Sequence, residues 1–252
     1  MARLHKPKAG FWIRTWVVIL FPVTSLFFKL RWRHLDRIPA PEQGGVIVAM
    51  NHLSHADTVL MARLIWSSGR VPRFMIKAGV FDWPVVGYMM KGSAQIPVYR
   101  GTNDAAQSLR AAVTALENGE AVAIYPEGTT TKDPGNWPMQ AKTGVARLVL
   151  LCPDVPVVPV GQWGPHKMGG FSLKRLGRRR TSFASVGEPL DLRRYRGLEP
   201  TAETLREITD VVMAAVRDQV AQLRGEPAPE EFYVAPRRYV DKPTNVRPSD
   251  AA

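Results

Sequence analysis

The sequence predicts an α/β fold: a mixed, largely parallel sheet flanked by helices, with a helical membrane anchor at the N-terminus. Three observations lead there. Short apolar runs alternate with amphipathic stretches of helical period, the pattern of strand–helix–strand units. A length of 252 residues with 45% hydrophobic side chains suits one such domain with appendages. The aromatic-rich stretch near the start also carries cations on both flanks.

Residues 1–38 make up that first unit. A basic start precedes an apolar middle, Phe11 to Phe28, but no small-residue cleavage site follows, only Lys29-Leu30-Arg31-Trp32-Arg33-His34. Arg14, Pro22, Thr24 and Ser25 interrupt the stretch, which falls short of the ~20 apolar residues a spanning helix needs. Trp12, Trp16, Phe21, Phe27, Phe28 and Trp32 between Lys and Arg instead fit an interfacial or re-entrant anchor. A core helix with a basic solvent face is the plainer alternative.

Pro39 and Pro41 mark a linker into the main domain, residues 39–224. Strands are expected at 45–50, 73–78, 94–99, 120–125, 155–160 and 181–186, and a further short one at Phe171–Leu173. Helices are expected at 58–67, 81–90, 104–118 (stopped by Gly119) and 141–151. The last, 201–223, has apolar positions at Leu205, Ile208, Val212, Ala215, Val216 and Val220. Residues 225–252 are rich in Pro and charge without periodicity, so an irregular tail is expected.

The net charge of +12 is patchy. Residues 1–38 hold eight Lys/Arg against Asp36 alone, and residues 167–180 hold six against no acid. Such patches favour an anionic partner. Nucleic acid is disfavoured, because the aromatics lie in the apolar N-terminal segment and not among the basic residues. A lipid surface, at the cytoplasmic face of the cell membrane, fits better. The basic run around Lys174-Arg175 and Arg178-Arg179-Arg180 is open to a second lipid contact, a site for donor phosphates, or a solvated loop. Cys152 stands alone and reads as a buried structural thiol. The five histidines and one cysteine show no metal-ligand spacing, and no nucleotide loop is evident.

The chemistry concentrates at two polar turns, each after an apolar strand. The first is Asn51-His52-Leu53-Ser54-His55-Ala56-Asp57; the second is Tyr125-Pro126-Glu127-Gly128-Thr129. An imidazole takes a proton near neutral pH, and a carboxylate five residues on can fix its tautomer. An Asp capping the next helix beside a satisfied histidine is the alternative. Ser54 is read as a turn-former or helix cap in preference to a nucleophile, and His55 as structural. In the second turn, Gly128 permits close backbone approach, and Glu127 either binds hydroxyls or is an ordinary surface acid. Arg100, Lys77 and Lys142, near element ends, are candidates for meeting a phosphate, in that order.

Four ordered blocks carry a family resemblance: Asn51-His52 with Ser54 and Asp57; Gly92 through Ile96 to Arg100; Pro126-Glu127-Gly128-Thr129; and Val157-Val158-Pro159-Val160. In them the chain resembles the glycerolipid acyltransferases that make phosphatidic acid from lysophosphatidic acid. The resemblance implies that His52 is the general base, with Asp57 orienting it. It implies acceptor binding by Glu127, Gly128 and Thr129, with no cofactor beyond an acyl-CoA or acyl-carrier-protein donor. The partners are then membrane lipid, a lysophospholipid and an acyl thioester. One departure stands out. The family commonly has Arg after Glu-Gly-Thr, and this chain has Thr130, then Thr131 and Lys132. Either Lys132 or Arg100 compensates, or the acceptor is another lysophospholipid or a glycolipid.

Overall fold

The structure, a computed structural model, describes residues 10–99, 105–164, 166 and 179–236. Seven strands form one sheet in the order β1-β7-β6-β2-β5-β3-β4. They are β1 (Phe28–Arg33), β2 (Val46–Met50), β3 (Pro72–Lys77), β4 (Ile96–Val98), β5 (Ala121–Ile124), β6 (Val157–Trp163) and β7 (Arg180–Val186). Every pairing is parallel except β6 with β7. The helices are α1 (Phe11–Phe27), α2 (Asp57–Ser67), α3 (Val86–Gly92), α4 (Ala105–Glu117), α5 (Gly144–Leu151) and α6 (Ala202–Arg224).

Strand β2 explains why the sheet is covered on both sides. All five of its residues are buried, and alternate side chains enter different cores. Val46, Val48 and Met50 pack with Leu60, Met61 and Leu64 of α2 and with Phe28. Ile47 and Ala49 pack with Leu116 of α4, Leu148 of α5 and Ile208, Val212 and Val216 of α6. Leu205 and Val220 are buried as the helical period predicts, and Ala215 is half-buried. Helix α6 starts from Thr201, whose hydroxyl accepts the Thr204 N–H at 3.1 Å, and stops at Gly225 with φ 67°.

Two findings differ from the sequence-based expectation. The stretch Phe28–Arg33 lies in the sheet as edge strand β1, in parallel register with β7, so the sheet begins before residue 39. Alternation of Phe28, Leu30 and Trp32 with Lys29, Arg31 and Arg33 is the physical reason. The helix expected over 81–90 is split. A 3₁₀ turn, Ala78–Asp82, ends at Trp83-Pro84, and α3 starts only at Val86. Residues 226–236 lack regular structure but are docked. Gln140 N–H donates to the Tyr233 carbonyl at 3.0 Å, and Arg217 covers the Phe232 ring. The strand expected at Phe171–Leu173 lies outside the described residues.

Helix α1 rests on α2. Arg63 of α2 donates to the Phe21 carbonyl at 2.8 Å and to Ser25 Oγ at 2.5 Å. The linker after β1 is pinned by buried Arg70, whose guanidinium meets the Pro39, Ala40, Gly44 and Gly119 carbonyls. No helix among the described residues is long and apolar enough to cross a membrane.

Candidate active site

Strands β2 and β5 are parallel neighbours, so the turns leaving their C-terminal ends emerge at one sheet edge. The two polar turns of the sequence therefore meet. His52 Nδ1 lies 3.2 Å from Asp57 Oδ2, with the Asp57 side chain fully buried. Oδ2 also accepts the N–H groups of Leu53 at 2.5 Å and Ser54 at 2.8 Å, and Oδ1 accepts the Ser54 hydroxyl at 2.7 Å. A carboxylate at the first position of α2 is favoured by the helix dipole as well. The Ser54 hydroxyl donates to the carboxylate, so it is committed away from the imidazole.

Asn51, fully buried, ties the end of β2 to β6. Its amide exchanges bonds with the Gln162 backbone at 3.1 and 2.8 Å, and Gln162 Nε2 donates to the Asn51 carbonyl at 2.6 Å. His55 is exposed, its ring 6.3 Å from that of His52. Neither residue offers an alternative base held by a carboxylate.

The second turn grips His52 along its backbone. Glu127 Oε1 accepts the His52 N–H at 2.9 Å, and Thr131 N–H donates to the His52 carbonyl at 2.7 Å. The Tyr125 ring stacks on the imidazole with centroids 4.2 Å apart and planes 19° from parallel. The other oxygen of Glu127 accepts the Met139 N–H at 3.0 Å. Gly128 turns the chain with φ 72°, where a side chain would be strained.

Glu127 is only 2% exposed, and burial pushes its carboxyl up to about 8 despite the backbone donors of Met139 and His52; Asp57 and Asp133 push the same way. It points inward to backbone amides. In this arrangement Glu127 holds the His52 backbone, and Gly128 and Thr129 are the half-buried surface of the turn.

The remaining candidates are scattered. Lys77 ends β3 at the same sheet edge and is exposed. Lys142 is half-buried, with its N–H bonded to the Pro126 carbonyl at 3.0 Å. Arg100 lies outside the described residues. Lys132 Nζ lies 3.3 Å from Thr130 Oγ1, which brings a cation to the position of the departure noted in the sequence. Among the described residues no group of three or more His, Cys, Asp or Glu side chains is placed to hold a metal ion.

One feature had no sequence signal. An apolar cavity of about 110 Å³ lies between α1, α2 and β3, lined by Trp16, Leu20, Thr58, Ala62, Trp66 and Phe74 among others. Thr58, which lines it, is the residue after Asp57 in α2. Its walls come from elements far apart in sequence, which no local pattern reveals.

The family model described as Acyltransferase matches residues 29–163, more than half of the chain. The chain belongs to the acyltransferase family. The matched span runs from β1 to the end of β6 and contains both turns of the site. This acyltransferase is 29% identical over 147 residues to an Arabidopsis thaliana chloroplast protein named 1-acyl-sn-glycerol-3-phosphate acyltransferase LPAT1, covering 55% of this chain and 40% of that one. It is 25% identical over 181 residues to a Bacillus subtilis 1-acyl-sn-glycerol-3-phosphate acyltransferase, covering 71% and 82%. The chain spans about two fifths of the length of the plant relatives it matches. The crystal structure of the 1-acyl-sn-glycerophosphate acyltransferase from Thermotoga maritima has the same fold, with a TM-score of 0.61, 23% identity and coverage of 86% and 81%.

Proposed function

We propose that this acyltransferase moves a fatty acyl group from a coenzyme A or carrier-protein thioester to the sn-2 hydroxyl of 1-acyl-glycerol 3-phosphate, giving phosphatidic acid at the cytoplasmic face of the cell membrane. The observation that carries the reading is the His52–Asp57 pair, clamped at a sheet edge by the Glu127 turn. With Nδ1 donating to Asp57, Nε2 is left to accept a proton. An alcohol is a poor nucleophile until that proton is being removed. His52 takes it as the oxygen attacks the thioester carbonyl; the C–S bond then breaks, and the imidazolium returns the proton to the departing thiolate. Asp57 stabilises the imidazolium and keeps the ring aimed. No acyl-enzyme is required, in keeping with a Ser54 hydroxyl turned to Asp57.

The apolar cavity beside Thr58 suits the start of an acyl chain, and Lys132 beside Thr130 suits the acceptor phosphate. The names of the plant and Bacillus relatives support the acceptor. Helix α1, with an apolar outer face, serves as the interfacial anchor and not as a span. Thr130 keeps a second acceptor in play, another lysophospholipid or a glycolipid. Thiol release from a defined acyl-CoA, measured across a panel of lysolipids, tests both. The fastest turnover is expected with 1-acyl-glycerol 3-phosphate, and His52→Ala should lower it roughly 10²–10⁴-fold. Near-normal turnover in that variant removes the base, and a faster uncharged acceptor removes the phosphate assignment.

A further inference from the structure

The catalytic reading leaves one apolar surface on a separate part of the chain unused. Between the 3₁₀ turn and α3, Trp83 is 58% exposed, Val85 72% and, one turn into the helix, Tyr88 67%. Three large apolar side chains within six residues are costly to leave in water. They also join the outer face of α1, where Phe11, Val18 and Ile19 are exposed. The Tyr88 ring meets Trp12 edge-on at 5.0 Å between centroids, and Trp12 meets Phe11 at 5.2 Å. Trp12 lies so close to Gly92 that a Cβ there would fall 2.4 Å from its ring. The start of α1 is thus seated on α3, and the two apolar surfaces are continuous.

Val85 supplies an independent observation. Its backbone sits at φ 64° and ψ −60°, and Val86 N–H donates to the Pro84 carbonyl at 2.7 Å. That is a γ-turn of the rare positive-φ form, disfavoured above all for a β-branched residue. The turn holds an apolar side chain outward at a position glycine would occupy with less strain. Water rewards neither the strain nor the exposure; a lipid leaflet rewards the exposure. The charge agrees. Arg14 in the first turn of α1 and Lys91 in α3 are exposed, and Asp82 is the only acid in residues 78–92. Cations around an apolar patch match an anionic bilayer surface.

We propose that Trp83, Val85 and Tyr88 insert into the lipid leaflet beside α1, as a second membrane contact that fixes how the enzyme sits on the bilayer. The proposal rests on the reading of α1 as lipid-facing. The test uses the full chain with sedimentable vesicles of phosphatidylcholine and phosphatidylglycerol, and lysolipid dispersed in detergent micelles for turnover. Trp83→Ser and Val85→Asp should each weaken vesicle binding at least about tenfold. Their melting temperature and micellar turnover should stay near wild type. Val85→Gly should bind vesicles more weakly yet melt higher, since glycine relieves the turn, an outcome a purely structural role for Val85 does not produce. Loop variants that bind like wild type while Val18→Asp loses binding overturn the proposal and leave the α1 reading standing. A wild-type chain that fails to sediment with vesicles overturns both. A wild-type dimer made monomeric by Val85→Asp, with vesicle affinity unchanged, reassigns the patch to contact between two copies and also overturns it.

Discussion

His52 is held from four directions: Asp57 at its ring nitrogen, Tyr125 on its face, Glu127 at its N–H and Thr131 at its carbonyl. Ser54 spends its proton on Asp57, so Ser54→Ala should keep turnover within about tenfold of wild type, as read by thiol release. Loss comparable to that of His52→Ala would instead point to a nucleophilic serine. Glu127 makes a second prediction. Folded, it keeps its proton up to about pH 8, whereas the unfolded chain releases it near its ordinary 4.5. The unfolded state thus binds fewer protons between those values, and stability falls as pH rises through that window. Glu127→Gln should remove this slope in melting temperature against pH while lowering stability overall, because one backbone donor then faces an amide NH₂. The His–Asp pair was legible from its spacing only as a candidate; the second turn and the order of the four blocks singled it out. The inward aim of Glu127 was not legible, since its partner His52 lies 75 residues away and chain order says nothing of which way a carboxylate points.

Elements were legible where one period dominated. The five buried residues of β2 and the apolar stripe of α6 needed no tertiary information. Strand β1 did carry its signal, a strict apolar–cationic alternation, but the same cations also read as flanks of an anchor. The helix expected over 81–90 failed at Pro84, whose ring disfavours helical geometry at Trp83. Contact between elements yields a further prediction. At Gly161 in β6 a Cβ would fall 2.6 Å from Gln219 Cβ and 2.7 Å from the Gln219 backbone in α6. Gly161→Ala should therefore force strand and helix apart and cost about 1–3 kcal/mol, measured by denaturant unfolding. A variant as stable as wild type would show that α6 gives way freely.

Over the whole molecule, composition pointed to an α/β domain with a basic, aromatic start, and the parallel sheet explains why both turns meet at one edge. The expected boundary at 225 conceals a dependence that composition cannot express. Tyr233 forms a bridge with Met139 and accepts the N–H of Gln140, while Met139 in turn supplies an N–H to Glu127. Deleting residues 225–252 should lower both the melting temperature and thiol release, even though every residue of the two polar turns is retained. Full activity in the shortened chain would show that the bridge is dispensable. If the loss is seen, residues 226–236 act as a strap on the segment that carries Met139, and a fusion partner or a protease cut there would be felt at Glu127, which holds the His52 N–H.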